Sequence, residues 1–483
     1  MGKTIKTRFA PSPTGDLHIG GLRTALFAYL FAKKNNGEFV LRIEDTDQSR
    51  FKQGSIDTII DGLRWAGLRW DNEKIIYQTS RIDIYQKYAK QLVAEGKAYY
   101  CFCPQEILAE MRQIQEQNKQ APKYDRRCLN LSQVEVEEKL AKNTPHVIRM
   151  KIPEKFDNNN SIKFTDLIRG EVEFNLKEID DQVLLKSDGF PTYHLANIID
   201  DHEMGISHVI RAEEWLPSTP KHIILYNYFN WDLPEFAHIP MVLAPDKSKL
   251  SKRHGATGVL EFKKLGYLPE AIINYLALLG WNPGTDEEIF TLEKLEQEFT
   301  LDKIHKAGAV FDIQKLEYIN GLYIRKLNLE NFTERCIPYL IEANLIDSES
   351  YDEKYIQSVV ALEQERIKKL SEIAKVTQYF FNEIEYDKEL LKWKKSDLPT
   401  AKARLEFIHE ELNKIPEKNW TRNSLENLLI DLIKIQNLGT GDTLWPMRVA
   451  LTGQQNSPGP FEVAEVLGKE KSLNRIKQGI EKI

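Results

Sequence analysis

Thr4-Ile5-Lys6-Thr7-Arg8-Phe9-Ala10-Pro11-Ser12-Pro13-Thr14-Gly15-Asp16-Leu17-His18-Ile19-Gly20-Gly21-Leu22-Arg23-Thr24-Ala25 is the stretch whose reading decides the fold. Residues 4–9 mix polar, apolar and β-branched side chains, as a short buried strand does. Pro11, Pro13 and Gly15 let neither a strand nor a helix run through the turn that follows. From Thr24 to Ala32 the chain is apolar on most faces and free of breakers, which predicts a helix. A helix N-terminus facing a cleft presents unpaired N–H groups and positive partial charge to an anion. Gly20 and Gly21 lack a Cβ, so a ligand can lie against the backbone, and His18 adds a donor suited to a phosphate oxygen. Taken alone, a His-X-Gly helix start also describes a structural turn with a surface histidine.

The whole run is more specific. Arg-Phe-Ala-Pro-Ser-Pro-Thr-Gly-X-Leu-His-Ile-Gly-Gly-X-Arg-Thr-Ala-Leu resembles the signature of glutamyl-tRNA synthetases, with His18-Ile19-Gly20-Gly21 standing as the "HIGH" element of class I synthetases. Gly21 replaces the final His of the generic element, as in the usual glutamyl form. The resemblance implies an α/β fold: a Rossmann-type class I catalytic domain with an inserted α+β acceptor-binding domain, followed by an all-α C-terminal anticodon-binding half.

With 483 residues, 42% hydrophobic and 29% charged, the chain can bury sizeable cores in several domains. Its first residues carry no apolar signal region, and the longest apolar runs, around Ala271 to Trp281, are too short to span a bilayer. A cytoplasmic protein with no membrane partner is expected. A net charge of −6 argues against nonspecific binding of nucleic acid but leaves room for local basic faces. Lys392, Lys394 and Lys395 around Trp393, with Lys402 and Arg404, read either as such a face or as solvated surface. Of four cysteines, three crowd at 101, 103 and 128, which suggests a metal cluster in a reducing compartment more than a disulfide framework. Cys336 reads as core.

Along the chain, the turn Asn35-Asn36-Gly37 and a strand over Phe39 to Ile43 complete a strand–helix–strand unit. It exits into Glu44-Asp45-Thr46-Asp47, at the carboxyl end of a parallel strand where ligands bind such sheets. Helical spacing runs from Gly54 to Leu68 and from Ser80, a candidate N-cap, to Gly96. His146 to Ile152, Ser161 to Phe164 and Glu171 to Leu176 predict β-structure in an insert over about Lys90 to Phe190. Tyr193 and Asn197 then lie four apart on one helix face. Ser207 to Arg211 predicts a strand ending in an arginine, able to pair with a carboxylate or to close a core-edge salt bridge. A helix follows with Thr219 as N-cap, and Ala237 to Leu243 predicts another strand. From Leu327 onward the periodicity is helical.

A pocket for free glutamate needs two cations and an anion for its two carboxylates and ammonium, and Arg8, Arg211 and Glu44 supply that set. The resemblance implies that Arg8, Ala10, Ser12, Glu44, Tyr193, Asn197 and Arg211 line the amino-acid pocket, that Trp215 borders ATP, and that Thr46 lies near the tRNA terminus. Lys249-Leu250-Ser251-Lys252-Arg253 resembles the "KMSKS" loop, whose ammonium groups neutralise phosphates as charge develops. His18, Gly20, Gly21, Lys249, Ser251 and Lys252 are thus the implied catalytic set, with His18, Gly20, Trp215 and Lys252 at ATP. Cys101, Cys103 and Cys128 offer three of the four ligands a structural Zn²⁺ requires. In many zinc-containing relatives the fourth looks like a His at the position held here by Asn130, whereas Tyr124 resembles the Tyr ligand of zinc-bearing paralogues. The other reading is three buried thiols without metal.

Phe311 to Arg325 resembles the family's stem-contact region, and Trp445 to Gly468 its helical anticodon-binding domain, with Arg366 a candidate anticodon reader; a dimerising bundle is the plain alternative for helices alone. The implied domains are 1–90 with 191–236 (catalytic), 91–190 (insert), 237–326 (stem contact, carrying the lysine loop) and 327–483 (helical), the last divisible near 386. The implied enzyme is a monomeric glutamate–tRNA ligase using L-glutamate, ATP with Mg²⁺, and tRNA-Glu, with tRNA-Gln also charged in some relatives. A small-molecule nucleotidyltransferase would have no use for the helical half, and a noncatalytic RNA-binding paralogue no use for the intact Arg8, His18, Arg211 and Lys252.

Overall fold

Strand β1 (Lys6–Phe9), helix α1 (Ile19–Lys34) and parallel strand β2 (Glu38–Ile43) form the predicted strand–helix–strand unit, with Arg8 opposite Val40. The computed structural model describes residues 4–251, 253, 255 and 257–483. Helix α1 begins at Ile19 rather than Thr24, because the His18 Nδ1 accepts the Gly20 N–H at 3.1 Å and caps it there. Gly37 is required in the return turn: a Cβ on it would stand 2.2 Å from the Ile5 carbonyl oxygen. The chain divides into two compact units, Met1–Lys263 with Pro269–Ile313, and Lys264–Leu268 with Gln314–Ile483.

In the first unit, helix α2 (Ser55–Trp65) and the short strand β3 (Ile76–Tyr77), paired with β2, precede helix α3 (Ile82–Ala94). Ser80 is not the N-cap that the sequence predicts. It lies in a single 3-10 turn, Gln78–Arg81, and its hydroxyl donates to the Tyr77 carbonyl at 2.7 Å. An antiparallel sheet follows from β4 (Ala98–Cys101), β5 (Val147–Met150) and, later in the chain, Val183–Leu185. Between them β6 (Ser161–Asp166) and β7 (Gly170–Asn175) form a hairpin that leaves this sheet. With Val183–Leu185 as β8, the chain enters helix α4 (Tyr193–Glu203), strand β9 (His208–Ala212), helix α5 (Thr219–Tyr228) and strand β10 (Glu235–Ile239). Strands β9 and β10 pair in parallel, and β6 adds to β10 where Asp166 faces Phe236.

The two parallel sheets abut at β1 and β9. Ser207, just before β9, donates its backbone N–H to the Lys6 carbonyl at 3.0 Å, and its hydroxyl accepts the Lys6 N–H at 2.7 Å. The carboxyl ends of β2, β1, β9 and β10 therefore open side by side, where ligands bind in such sheets. One apolar core runs beneath them, including Val40, Tyr85, Ile148, Leu195, Ile224 and Phe236. Two expected boundaries move for identifiable reasons. Thr219 is the first residue of α5, with Ser218 at the cap position, because its hydroxyl is engaged by Arg211 at 2.9 Å. The predicted strand from Ala237 to Leu243 is cut by Pro240, which has no N–H for the ladder; its continuation β11 (Val242–Leu243) pairs with β12 (Ala309–Val310) instead.

The second unit is helical. One core, from Val359 and Tyr379 through Leu405 and Leu429 to Ile476, spans both sides of residue 386. Cys336 is fully buried, as predicted. Among the described residues no helix is long and apolar enough to cross a membrane.

Candidate active site

A cavity of about 850 Å³ opens at the carboxyl ends of these strands. It is lined by Arg8, Ala10, Ser12, His18, Gly20, Gly21, Glu44, Tyr193, Asn197, Arg211, Trp215, Lys249 and Ser251. Residues predicted from stretches far apart in the chain thus meet in one place. Thr46 is buried beside it rather than lining it, its carbonyl accepting from Lys186 Nζ at 3.5 Å. Lys252 lies outside the described residues. Arg366 belongs to the helical unit, where its Nε donates to Glu363 at 2.9 Å.

The cavity floor is a buried ion network. Arg8 donates to both oxygens of Asp201, at 3.1 and 3.3 Å, and to Asn197 Oδ1 at 3.3 Å. The fully buried Arg42 donates to Asp201 at 2.8 Å, to Glu44 at 2.9 Å and to Asn197 Oδ1 at 3.0 Å. Arg81 and the Tyr85 hydroxyl close the network on Asp200, at 2.8 and 2.9 Å. Three guanidinium groups, Arg8, Arg42 and Arg81, face three buried carboxylates, Glu44, Asp200 and Asp201, with the partly exposed Glu203 also on Arg81 at 2.6 Å. The three guanidinium and three buried carboxylate charges cancel.

Arg211 stands apart from that balance. It is buried, and its donors go to His238 Nε2 at 3.0 Å, Tyr193 Oη at 3.0 Å, Thr219 Oγ1 at 2.9 Å and His222 Nδ1 at 3.3 Å, with the Trp215 carbonyl at 3.4 Å. Among the described residues none of these partners is an acid. A buried cation with only neutral partners is poised for an anion from outside. The rings of Tyr193 and Trp215, centroids 4.2 Å apart and tilted by 38°, wall the same side.

At the other end, the His18 Nδ1 is occupied as the acceptor for Gly20, which assigns the ring proton to Nε2 and leaves that N–H for a ligand. His18 keeps an exposed edge, yet burial of the rest of the ring, together with the Lys249 ammonium, holds it below the usual histidine value. It is therefore a neutral donor near pH 7. The Lys249 ammonium pairs with Glu214 at the cavity wall.

Residues 4–318 match the family described as class I tRNA synthetases (E and Q), catalytic domain, and residues 331–480 an anticodon binding domain. Over 99% of its length the chain is 45% identical to 98% of a glutamate–tRNA ligase of Thermoanaerobacter pseudethanolicus. It is 43% identical to a glutamate–tRNA ligase of Clostridioides difficile, over 98% of each chain. A crystal structure of a glutamate tRNA ligase from Elizabethkingia meningosepticum, in complex with its amino acid, superposes with a TM-score of 0.89 at 36% identity, covering 99% of both chains. This chain belongs to the glutamate–tRNA ligase family of class I tRNA synthetases.

Sequence reasoning missed the floor residues of this synthetase, Arg42, Arg81, Tyr85, Asp200 and Asp201, and His238 behind Arg211. Arg42 stands two before Glu44 on the same strand face, and Asp201 lies four after Asn197 and eight after Tyr193 on one face of α4, so both signals were present. His238 had none, since its place depends on strand register. The network also divides its acids. Burial alone would raise Asp201, but Arg8 and Arg42 override it and hold the carboxyl below its usual range. For Glu44 burial wins over Arg42 and Arg8, and the carboxyl sits above its usual range.

Away from the cavity, Cys101, Cys103 and Cys128 bring their sulfurs within 4.8 Å of one another. The Tyr124 hydroxyl lies 3.3 Å from the sulfurs of Cys101 and Cys103, and the sulfurs of Cys103 and Cys128 are 3.4 Å apart. Tetrahedral zinc with thiolate bonds of about 2.3 Å separates its sulfurs by about 3.8 Å, so this donor set fits one ion with little adjustment.

Glu44 generates a pH prediction. Protonation removes the anion that can hold an ammonium group, and its raised pKa moves that loss to higher pH. The kcat/KM for glutamate should therefore fall on the acid side with an apparent pKa above 4.5. Glu44→Gln should lower kcat/KM and flatten that limb; an unchanged acid limb in the variant would refute the assignment.

Proposed function

We propose that this cavity activates L-glutamate with ATP and then transfers it to the 3′ end of tRNA-Glu. The observation that carries the reading is the charge arrangement: a neutralised floor beside Arg211, a buried cation whose hydrogen-bond partners are all neutral and whose Tyr193 partner shares the cavity wall. Glutamate carries two carboxylates and one ammonium, hence one net negative charge, and complements that arrangement. Its side-chain carboxylate goes to Arg211 with Tyr193, and its ammonium to Glu44 beside Asn197. Arg8, its charge balanced by Asp201, holds the Asn197 side chain in place through Oδ1 at 3.3 Å. Ala10 and Ser12 line the space between this end and His18.

ATP lies along the N-terminus of α1, with its base side against Trp215. The glutamate α-carboxylate oxygen attacks the α-phosphorus, the bond to the bridging oxygen breaks, and pyrophosphate leaves. His18 Nε2–H, the Gly20 and Gly21 backbone, Lys249, Ser251 and Lys252 stabilise the phosphate charge; Mg²⁺ arrives with ATP. A terminal ribose hydroxyl of the tRNA then attacks the adenylate carbonyl and AMP departs. No protein nucleophile is needed, because positioning and charge stabilisation suffice.

The insert, 91–190, with Thr46 holds the acceptor end, 237–326 meets the stem, and 327–483 reads the anticodon. Arg366 suits the last task because the buried Glu363 steers its guanidinium while its side chain stays 43% exposed. Cys101, Cys103, Tyr124 and Cys128 hold a structural zinc that ties β4 to the turn at Arg127–Asn130.

Two experiments test this reading. His18→Ala and Lys252→Ala should each lower kcat for charging tRNA-Glu by about a hundredfold with an unchanged circular dichroism spectrum; near-normal turnover would remove those roles. Mass-spectrometric metal analysis should find one zinc per purified chain and none in Cys128→Ser. Metal-free wild type would overturn the zinc assignment.

A further inference from the structure

Behind Arg211 lies a buried pair that does not itself line the cavity. His238 and Asp166 are 0% and 1% exposed, and the His238 Nδ1 lies 2.6 Å from Asp166 Oδ2. A carboxylate at that distance accepts a hydrogen bond from Nδ1–H, so the lone pair is on Nε2. Nε2 accepts from Arg211 Nε at 3.0 Å and stands 3.2 Å from Thr219 Oγ1, which itself accepts from Arg211 Nη2 at 2.9 Å. The parallel register sets this up by placing Arg211 directly opposite His238.

We propose that His238, held by Asp166, is a positioning residue for substrate selection: it fixes the plane of the Arg211 guanidinium without neutralising it, leaving the charge for the ligand's side-chain carboxylate. This rests on the reading of Arg211 as the carboxylate partner. An acid in direct contact would orient Arg211 equally well but would cancel its charge, as Asp201 does for Arg8. An imidazole offers a lone pair and no charge. Asp166 stands one residue further out, where it fixes the imidazole and is held by the backbone N–H groups of Ile168 at 3.0 Å and Arg169 at 2.8 Å. These belong to the turn of the β6–β7 hairpin, which gives that hairpin a function in glutamate recognition. Burial and Arg211 both keep His238 neutral against the pull of Asp166, in keeping with its role as acceptor.

Two substitutions separate positioning from packing. His238→Gln carries an amide oxygen to the place of Nε2 and can still accept from Arg211. His238→Asn keeps only an amide at the place of Nδ1, facing Asp166. Tyr193 and Thr219 remain in both. Charging assays with tRNA present should show the KM for glutamate raised about tenfold in His238→Asn, with the KM for ATP unchanged and preference for glutamate over glutamine reduced. His238→Gln should recover most of that loss. Melting temperatures of both variants check the fold. Equal KM values for glutamate in the two variants, or a fall in kcat with KM unchanged, would overturn the proposal. Arg211→Gln is the control for the parent reading: if it leaves the KM for glutamate unchanged, that reading fails, whereas a rise there with no effect in either His238 variant defeats the positioning role alone.

Discussion

The site depends on keeping the Arg211 guanidinium buried without an acid in hydrogen-bond contact. Burying an isolated charge is costly, and removing one partner of a buried ion pair typically costs about 3–5 kcal/mol. The fold meets this constraint in two ways within a few residues. Arg8 and Arg42 are tied to Asp201, Glu44 and Asn197, so the floor is rigid and electrically quiet. Arg211 is instead solvated by protein dipoles, the His238 and His222 nitrogens and the Tyr193 and Thr219 hydroxyls. Preorganised neutral donors and acceptors replace water without removing the charge.

Strand register makes that arrangement reproducible. Arg8, Glu44, Arg211 and His238 come from four adjacent parallel strands or their exits, so their spacing is set by the sheet rather than by flexible loops. The end of the cavity at α1 follows different physics. There the capped N-terminus of α1 supplies backbone N–H groups, and His18 is both the cap and a donor. A synthetase needs both ends: a fixed electrostatic template for one amino acid, and phosphate-binding groups for ATP that release pyrophosphate.

Much of this was legible from residue type and spacing. The Arg8 to Ala25 run located the turn, the helix and the cavity wall, and the four-residue spacing of Tyr193 and Asn197 placed both on the face that reaches the cavity. The three cysteines and Tyr124 converge as their motif implied. What stayed hidden depends on contacts between distant segments. Nothing local announces that Arg42 answers Asp201, 159 residues away, or that Asp166 on a hairpin of the insert reaches His238. Caps were misread where a tertiary contact prevailed over a local preference, as at Thr219, whose hydroxyl serves Arg211.

The most direct test of the central claim is a competition: purified protein charging tRNA-Glu from a mixture of glutamate and excess glutamine carrying distinguishable labels, with the products separated and counted. Because glutamine lacks the net negative charge that Arg211 awaits, the account predicts glutamyl-tRNA alone, at a rate little changed by glutamine. Formation of glutaminyl-tRNA in proportion to its excess would show that the uncompensated charge does not select the substrate.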